Sequence, residues 1–143
     1  MPESLDASDT TADGRVALVV DDIPAVRKLT CAILRDYGFR CVEARDSEQA
    51  LERLFEQRLD VAVLDIGLPG KSGAELAWRM REHGFDIPIV AISGQLHLWD
   101  RDDLEDLGFD GVLAKPFEED EFVAHIFDLL NERDVSLQDA PGR

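Results

Sequence analysis

Residues 63–73 read VLDIGLPGKSG, and this stretch decides between two kinds of fold. Its end, Gly70-Lys71-Ser72, matches the end of a phosphate-binding P-loop, whose pattern also requires a glycine at position 65. Position 65 is an aspartate, whose carboxylate would face the nucleotide phosphates and repel them. A nucleotide-binding P-loop is therefore excluded, and Asp65 stands instead at the end of an apolar run.

Four other apolar runs accompany the one that ends before Asp65. They are rich in Val and Ile, and this composition is typical of strands buried on both faces of a parallel sheet. The five predicted strands are residues 16–20, 40–44, 61–64, 87–92 and 111–114.

Helical patterns alternate with these strands. Pro24 suits the first turn of the first helix, and Ser47 is the predicted N-cap of the second, with Phe55 in its apolar stripe. Glycines are expected to end the first, third and fourth helices: Gly38, Gly84 and Gly108. Five strands alternating with five helices predict a three-layer α/β domain.

The 143 residues are enough for one domain with an ordinary apolar core. We expect this domain at residues 15–131, between a disordered acidic tail (1–14) and a flexible C-terminal tail (132–143), because both ends are polar. Two cysteines, Cys31 and Cys41, do not make a disulfide framework, and no apolar run is long enough to span a bilayer. These features predict a cytoplasmic protein with reduced thiols and no membrane partner.

The net charge of −16 comes from 31 acidic and 15 basic residues. Residues 15–131 carry −11 of it, so the acidity belongs to the body of the protein. Proteins bind nucleic acids largely by neutralising phosphates with Lys and Arg, so this balance argues against direct DNA or RNA binding. It favours a cation or a partner with a basic surface.

Polar residues follow the predicted strands where ligands bind in open α/β sheets, beyond the carboxyl ends. These residues are Asp21 and Asp22 after the first strand, Asp65 after the third, Ser93 after the fourth and Lys115 after the fifth. Carboxylates brought together repel one another unless a cation lies among them, and oxygen ligands with room for water suit Mg²⁺. The sequence therefore predicts a magnesium site at this edge.

The same residues suit a phosphoryl group. Lys115 supplies a compact positive charge, the Ser93 hydroxyl can donate a hydrogen bond, and Gly67 and Gly94 can offer backbone N–H groups. The simplest use of this set makes Asp65 a nucleophile that forms an acyl phosphate by in-line displacement.

Four motifs resemble the receiver domain of two-component response regulators: LVVDD (18–22), VLDIGLPGKSG (63–73), AISG (91–94) and AKPF (114–117). The resemblance covers residues 15–131 and implies a flavodoxin-like doubly wound sheet of strand order 2-1-3-4-5. It implies that Asp65 is the phosphoacceptor, that Lys115 is the lysine of the site and that Ser93 senses the phosphoryl group.

The resemblance also implies how Mg²⁺ is held. Asp22 and Asp65 are expected to ligate the ion directly, the Gly67 carbonyl adds a third ligand, and Asp21 acts through water.

The resemblance implies a signalling role rather than a conventional enzyme: the domain catalyses only its own phosphorylation and dephosphorylation. A histidine kinase or a histidine phosphotransfer protein would be the donor. We expect a stand-alone receiver, a monomer or weak dimer, whose output passes to a separate protein or along a phosphorelay.

Two alternatives stay open. A haloacid-dehalogenase-type phosphohydrolase also forms an aspartyl phosphate, but its motif places a second Asp two residues on, where this chain has Gly67. A phosphorylation-independent interaction module would keep only the fold. One departure from the receiver pattern is Val112, which occupies a position that is aromatic in many receivers, so the usual switch of that ring is in doubt.

Overall fold

The computed structural model describes residues 14–66 and 72–139, and the side chains of residues 14–66 and 73–132. Gly67, Lys71 and the first thirteen residues of the expected acidic tail lie outside the described residues. The strands are β1 (Val16–Val20), β2 (Arg40–Ala44), β3 (Val61–Asp65), β4 (Ile89–Ser93) and β5 (Gly111–Ala114). The helices are α1 (Pro24–Asp36), α2 (Ser47–Glu56), α3 (Ser72–Glu82), α4 (Arg101–Leu107) and α5 (Glu119–Asp139), with a short 3-10 helix at Leu96–Leu98.

The five strands form one parallel sheet in the order β2-β1-β3-β4-β5, which confirms the predicted flavodoxin-like α/β fold. Alternate side chains of each strand enter opposite cores, because successive residues of a strand point to opposite faces. Val19 and Val63 pack with α1 and α5 on one face, whereas Leu18 and Leu64 pack with α2, α3 and α4 on the other. Burial of the central strands on both sides explains their nearly continuous apolar sequences.

The predicted helix ends are mostly confirmed. Gly38, Gly84 and Gly108 follow α1, α3 and α4 with φ of 95°, 88° and 107°, the left-handed region in which a side chain is strained. The helix α5 extends to Asp139, eight residues past the expected domain end at 131.

The prediction for α2 was wrong in two details. Its N-cap is Asp46, whose side chain accepts a hydrogen bond from the Gln49 N–H at 2.8 Å, and Ser47 is the first helical residue. Phe55 is exposed rather than part of the buried stripe. Both Asp and Ser are good N-caps, so the sequence alone did not distinguish adjacent candidates.

Side chains at the amino edge of the sheet, where the strands begin, fix the strand starts. Asp60 accepts a hydrogen bond from the Val16 N–H and Asp110 accepts one from the Ile89 N–H, both at 2.8 Å. Arg81 binds Asp110 at 2.8 Å and donates to three main-chain carbonyls in two neighbouring loops, those of Phe85, Ile87 and Gly108. These contacts hold α3, β4 and the turn after α4 together.

Candidate functional site

The carboxyl edge, where the strands end, brings two distant charged residues together. Lys115 Nζ donates to Asp65 Oδ2 at 2.6 Å, although fifty positions separate them in the chain. Asp65 is the last residue of β3, and Lys115 directly follows β5. Their partial burial makes the ion pair stronger than one on an open surface.

Asp21 is the second carboxylate at this point and is buried. It directly follows β1, and its Oδ1 accepts a hydrogen bond from the Ile23 N–H at 2.9 Å. Burial raises the pKa of Asp21 to about 6; the adjacent Asp65 carboxylate adds to this rise, whereas the Ile23 N–H and Lys115 oppose it. Two neighbouring carboxylates with one ammonium leave negative charge that a proton or a cation would balance.

Asp22 lies beside this pair in the chain but is exposed. Within residues 14–66 and 72–139, no three Asp, Glu, His or Cys side chains form a group that could hold a metal. The carboxylate in contact with Asp65 is that of Asp21. Asp21 is the residue expected to bind Mg²⁺ through water rather than directly. The fourth predicted ligand, Gly67, falls outside the described part of the chain.

Ser93 ends β4 and is completely buried. Its Oγ accepts a hydrogen bond from the Gln95 N–H at 2.9 Å, and its carbonyl oxygen accepts one from the Lys115 N–H at 2.9 Å. The second bond ties the chain segments of the serine and the lysine together at the carboxyl edge. Gly94 is exposed, and a Cβ placed on it would have no atom within 4 Å.

An apolar cleft of about 640 Å³ adjoins the charged residues. Asp21, Asp65 and Lys115 line it together with side chains of α1 and of the segment after β5, including Leu29, Thr30, Ile33, Phe117 and Glu119. A reactive group that reached Asp65 from this side would therefore contact an apolar wall beside the charges.

Two residues that sequence reasoning missed help to build this edge. Arg27 of α1 donates to the main-chain oxygen of Asp21 and to Glu43 Oε1, both at 2.8 Å, and so fixes the loop after β1. Gly73 in the first turn of α3 lies against the end of β3, because an added Cβ would come within 2.8 Å of Ile66 and 3.1 Å of the Asp65 oxygen. A lone arginine carries no sequence signal, but a glycine inside a helix is unfavourable and could have indicated close packing.

Val112 is half-buried and packs against the core formed with α2, α3 and α4. In β5 it is paired with Ala91 of the neighbouring strand β4. At this position of β5 the chain therefore has a small aliphatic side chain that packs against the core.

Comparison with known proteins gives the family. Residues 17–127 match the family model described as "Response regulator receiver domain". The chain belongs to this family. The matched range contains the carboxyl-edge residues and nearly all of the sheet, whereas α5 continues past it to Asp139.

Curated relatives of this receiver domain include two transcriptional regulators. DltR of Streptococcus agalactiae is 36% identical over 109 residues, which cover 76% of this chain and 49% of DltR. PhoB of Pseudomonas aeruginosa is 32% identical over 130 residues, which cover 90% of this chain and 57% of PhoB. The chain thus spans about half the length of these relatives.

Among solved structures, the response regulator TrrA of Thermotoga maritima, described as a complex with Mg(2+)-BeF, is similar to this receiver domain. It is 33% identical with a TM-score of 0.71, and the match covers 80% of this chain and 98% of that one. No helix in the described ranges has both the length and the apolar composition needed to cross a bilayer.

The neighbouring carboxylates at this edge suit Mg²⁺. This ion prefers oxygen ligands and takes one or two carboxylates together with water and phosphate oxygens. Asp21 and Asp65 supply two neighbouring carboxylates, and the Asp65 carboxylate adds to the rise that burial causes in the pKa of Asp21. The residues present therefore fit the ion.

Proposed function

We propose that this receiver domain accepts a phosphoryl group on Asp65 from a phosphohistidine of a kinase or phosphotransfer protein. The observation that carries the proposal is the contact of 2.6 Å between Asp65 and Lys115 beside the buried Asp21. A carboxylate oxygen of Asp65 attacks phosphorus, the bond from phosphorus to the histidine nitrogen breaks, and the imidazole leaves with the bonding electrons.

The neighbours of Asp65 stabilise the transferred group in different ways. The ammonium of Lys115 would move from the carboxylate to a phosphoryl oxygen, where it would offset part of the charge of roughly −1.5 to −2 that the phosphoryl group carries. Ser93 accepts a hydrogen bond from Gln95, which leaves its hydroxyl hydrogen as a donor to a second phosphoryl oxygen. Gly67 and Gly94 would add backbone N–H groups.

Asp22 and Asp65 would hold Mg²⁺ directly together with the Gly67 carbonyl, and Asp21, whose carboxylate lies beside that of Asp65, would act through water. When bound, the ion neutralises negative charge on the phosphoryl oxygens and on the two carboxylates. TrrA, a relative described with Mg²⁺ and a beryllofluoride group, supports this assignment.

The proposed output is a change in affinity for a separate protein or onward transfer in a relay. The loop that joins Ser93 to Gln95 and the 3-10 helix behind it are directly connected to the hydroxyl that would contact the phosphoryl group. Movement of Ser93 would therefore shift a two-state equilibrium of this loop. With Val112 in the core, the switch would act through the loop rather than through an aromatic ring.

The test is incubation with acetyl phosphate and Mg²⁺ followed by intact mass spectrometry. Wild type is expected to gain the mass of one phosphoryl group, and Asp65→Asn is expected to gain none. The matched control Asp128→Asn removes an exposed carboxylate of α5 and should react like wild type. No mass gain in wild type, or an equal gain in Asp65→Asn, would refute the proposal and favour the phosphorylation-independent module.

A pull-down then tests the output. Wild type and Asp65→Asn are compared with and without the phosphodonor, and only phosphorylated wild type should change its recovery of the partner. Equal recovery in all four samples would contradict the phospho-dependent switch.

A further inference from the structure

Helix α1 and strand β2 meet through two matched pairs of side chains. Arg27 of α1 binds Glu43 of β2 at 2.8 Å. Cys31 lies one helical turn after Arg27, and Cys41 lies two residues before Glu43, so each cysteine is on the same face as its charged neighbour. Along α1, the four residues from Arg27 to Cys31 span about 6 Å, and along β2 the two residues from Glu43 to Cys41 span about 6.6 Å. Because α1 and β2 run antiparallel, the two cysteines lie opposite each other, as Arg27 and Glu43 do.

The cysteine side chains are in contact. The Cys41 thiol donates a hydrogen bond to the Cys31 main-chain oxygen at 3.6 Å, and both thiols are free. Contact with Cys41 lowers the pKa of Cys31, and the same contact together with burial raises the pKa of Cys41. Cys31 is completely buried, whereas Cys41 is partly exposed, so only Cys41 offers a direct route to a soluble reagent.

We propose that Cys31 and Cys41 form a redox-sensitive pair, which low-molecular-weight disulfides convert into an intramolecular disulfide that crosslinks α1 to β2. Disulfides of cytosolic proteins are typically transient and redox-sensing, and such sites often place a solvent-accessible thiol next to a second, resolving thiol. In this pair the accessible thiol is Cys41, whereas the lowered pKa belongs to the buried Cys31.

The reaction is a two-step thiol–disulfide exchange. Cys41 is the thiol that a small disulfide can reach, and its raised pKa makes its thiolate a minor species, so the first step is slow. This thiolate attacks one sulfur of the small disulfide, forms a mixed disulfide and releases one small thiolate. The Cys31 thiolate then attacks Cys41 Sγ and expels the second small thiolate. The two cysteine protons pass through solvent to the two released thiolates; the protein is oxidised by two electrons and the small disulfide is reduced by two.

The crosslink would act close to the phosphotransfer edge without being part of it. Arg27, one turn before Cys31, donates to the main-chain oxygen of Asp21, and Ile33 of the same helix lines the apolar cleft. A covalent bond between α1 and β2 would therefore restrict a helix that borders the site. The formation of the bond does not depend on the proposed phosphorylation.

Oxidised glutathione is the probe in the first test. The folded protein is incubated with it, remaining thiols are alkylated, and the intact mass is measured after denaturation. Because the chain has two cysteines in all, a monomer that has lost two hydrogen atoms and gained no alkyl group contains the Cys31–Cys41 bond. We expect this species in wild type and in neither Cys41→Ser nor Cys31→Ala. Unreacted thiols, a covalent dimer or a persistent glutathione adduct in wild type would overturn the proposal.

Thermal unfolding tests whether the fold accommodates the bond. The crosslinked protein is expected to melt about 5 to 10 °C above the reduced protein, because the bond restricts the unfolded chain. A reducing agent should reverse the shift, and oxidant-treated Cys41→Ser should melt like its untreated form. An unchanged or lower Tm in the crosslinked wild type would overturn the proposal, since the bond would then form at the expense of the fold.

Discussion

The two edges of the sheet both carry aspartates beside the strand ends, yet their surroundings differ. At the amino edge, Asp60 and Asp110 each accept a hydrogen bond from a strand N–H, and Asp110 also binds Arg81. At the carboxyl edge, Asp21 and Asp65 lie next to each other with Lys115 as a shared cation. The first arrangement balances charge and satisfies hydrogen bonds, whereas the second keeps excess negative charge that suits a cation. The aspartates of the amino edge therefore stabilise the fold, whereas those of the carboxyl edge keep negative charge that can attract a cation.

The largest effect is expected at the amino edge. Arg81→Met should lower the free energy of unfolding by about 2 to 3 kcal/mol, because partly buried carbonyls and the Asp110 carboxylate lose a charged donor. Urea denaturation measures the loss, and phosphorylation by acetyl phosphate under native conditions should remain. A loss below about 0.5 kcal/mol would show that the amino edge does not depend on this arginine.

At the carboxyl edge, removal of a charged side chain is expected to stabilise the protein rather than destabilise it. The folded-state pKa of Asp21, about 6, exceeds its ordinary value of 3.8, so the folded protein binds more protons than the unfolded chain between these values. The contribution of this carboxyl to stability therefore falls as pH rises through that window. With a chelator present, Asp21→Asn should raise the free energy of unfolding at neutral pH by about 1 to 2 kcal/mol.

The decisive measurement is how the difference in the free energy of unfolding between Asp21→Asn and wild type depends on pH. Urea denaturation of wild type and Asp21→Asn should give curves that converge as the pH is lowered below 6 toward 3.8. Asp22→Asn, a change at the exposed neighbour, is the matched control and should alter stability by less than about 0.5 kcal/mol. A stabilisation of Asp21→Asn that stays constant with pH would contradict the raised pKa that burial and the Asp65 carboxylate give Asp21.

The smallest effect concerns an aspartate at the carboxyl edge with a structural role. Asp46 follows β2 and caps α2, so Asp46→Ala should cost about 1 kcal/mol and leave phosphorylation by acetyl phosphate unchanged. Thermal and urea unfolding measure the cost, and Ser47→Ala is expected to cost less because Ser47 is not at the N-cap. If Asp46→Ala impaired phosphorylation at temperatures where it is folded, the distinction between the two kinds of aspartate would fail.

Much of the fold was predictable because its signals are local. Strand composition, the glycines after α1, α3 and α4, and the alternation of strands and helices were each visible within short windows. The exposure of Phe55 was not, since periodicity identifies an apolar position but not whether a neighbouring element covers it. The network around Arg81 was also missed, because its acceptors come from two separate loops and are mostly main-chain oxygens.

The candidate residues were predictable as a set, but their pairing was not. Parallel strands end at one edge whatever their order, so the sequence alone determined that the candidate residues at the ends of four strands share an edge. These residues are Asp21, Asp22, Asp65, Ser93 and Lys115. Tertiary structure decided that Lys115 reaches Asp65 and that Asp21 is buried while Asp22 is exposed. Sequence patterns record the alternation of local environments, whereas distances between side chains depend on how strands are ordered and how each loop turns.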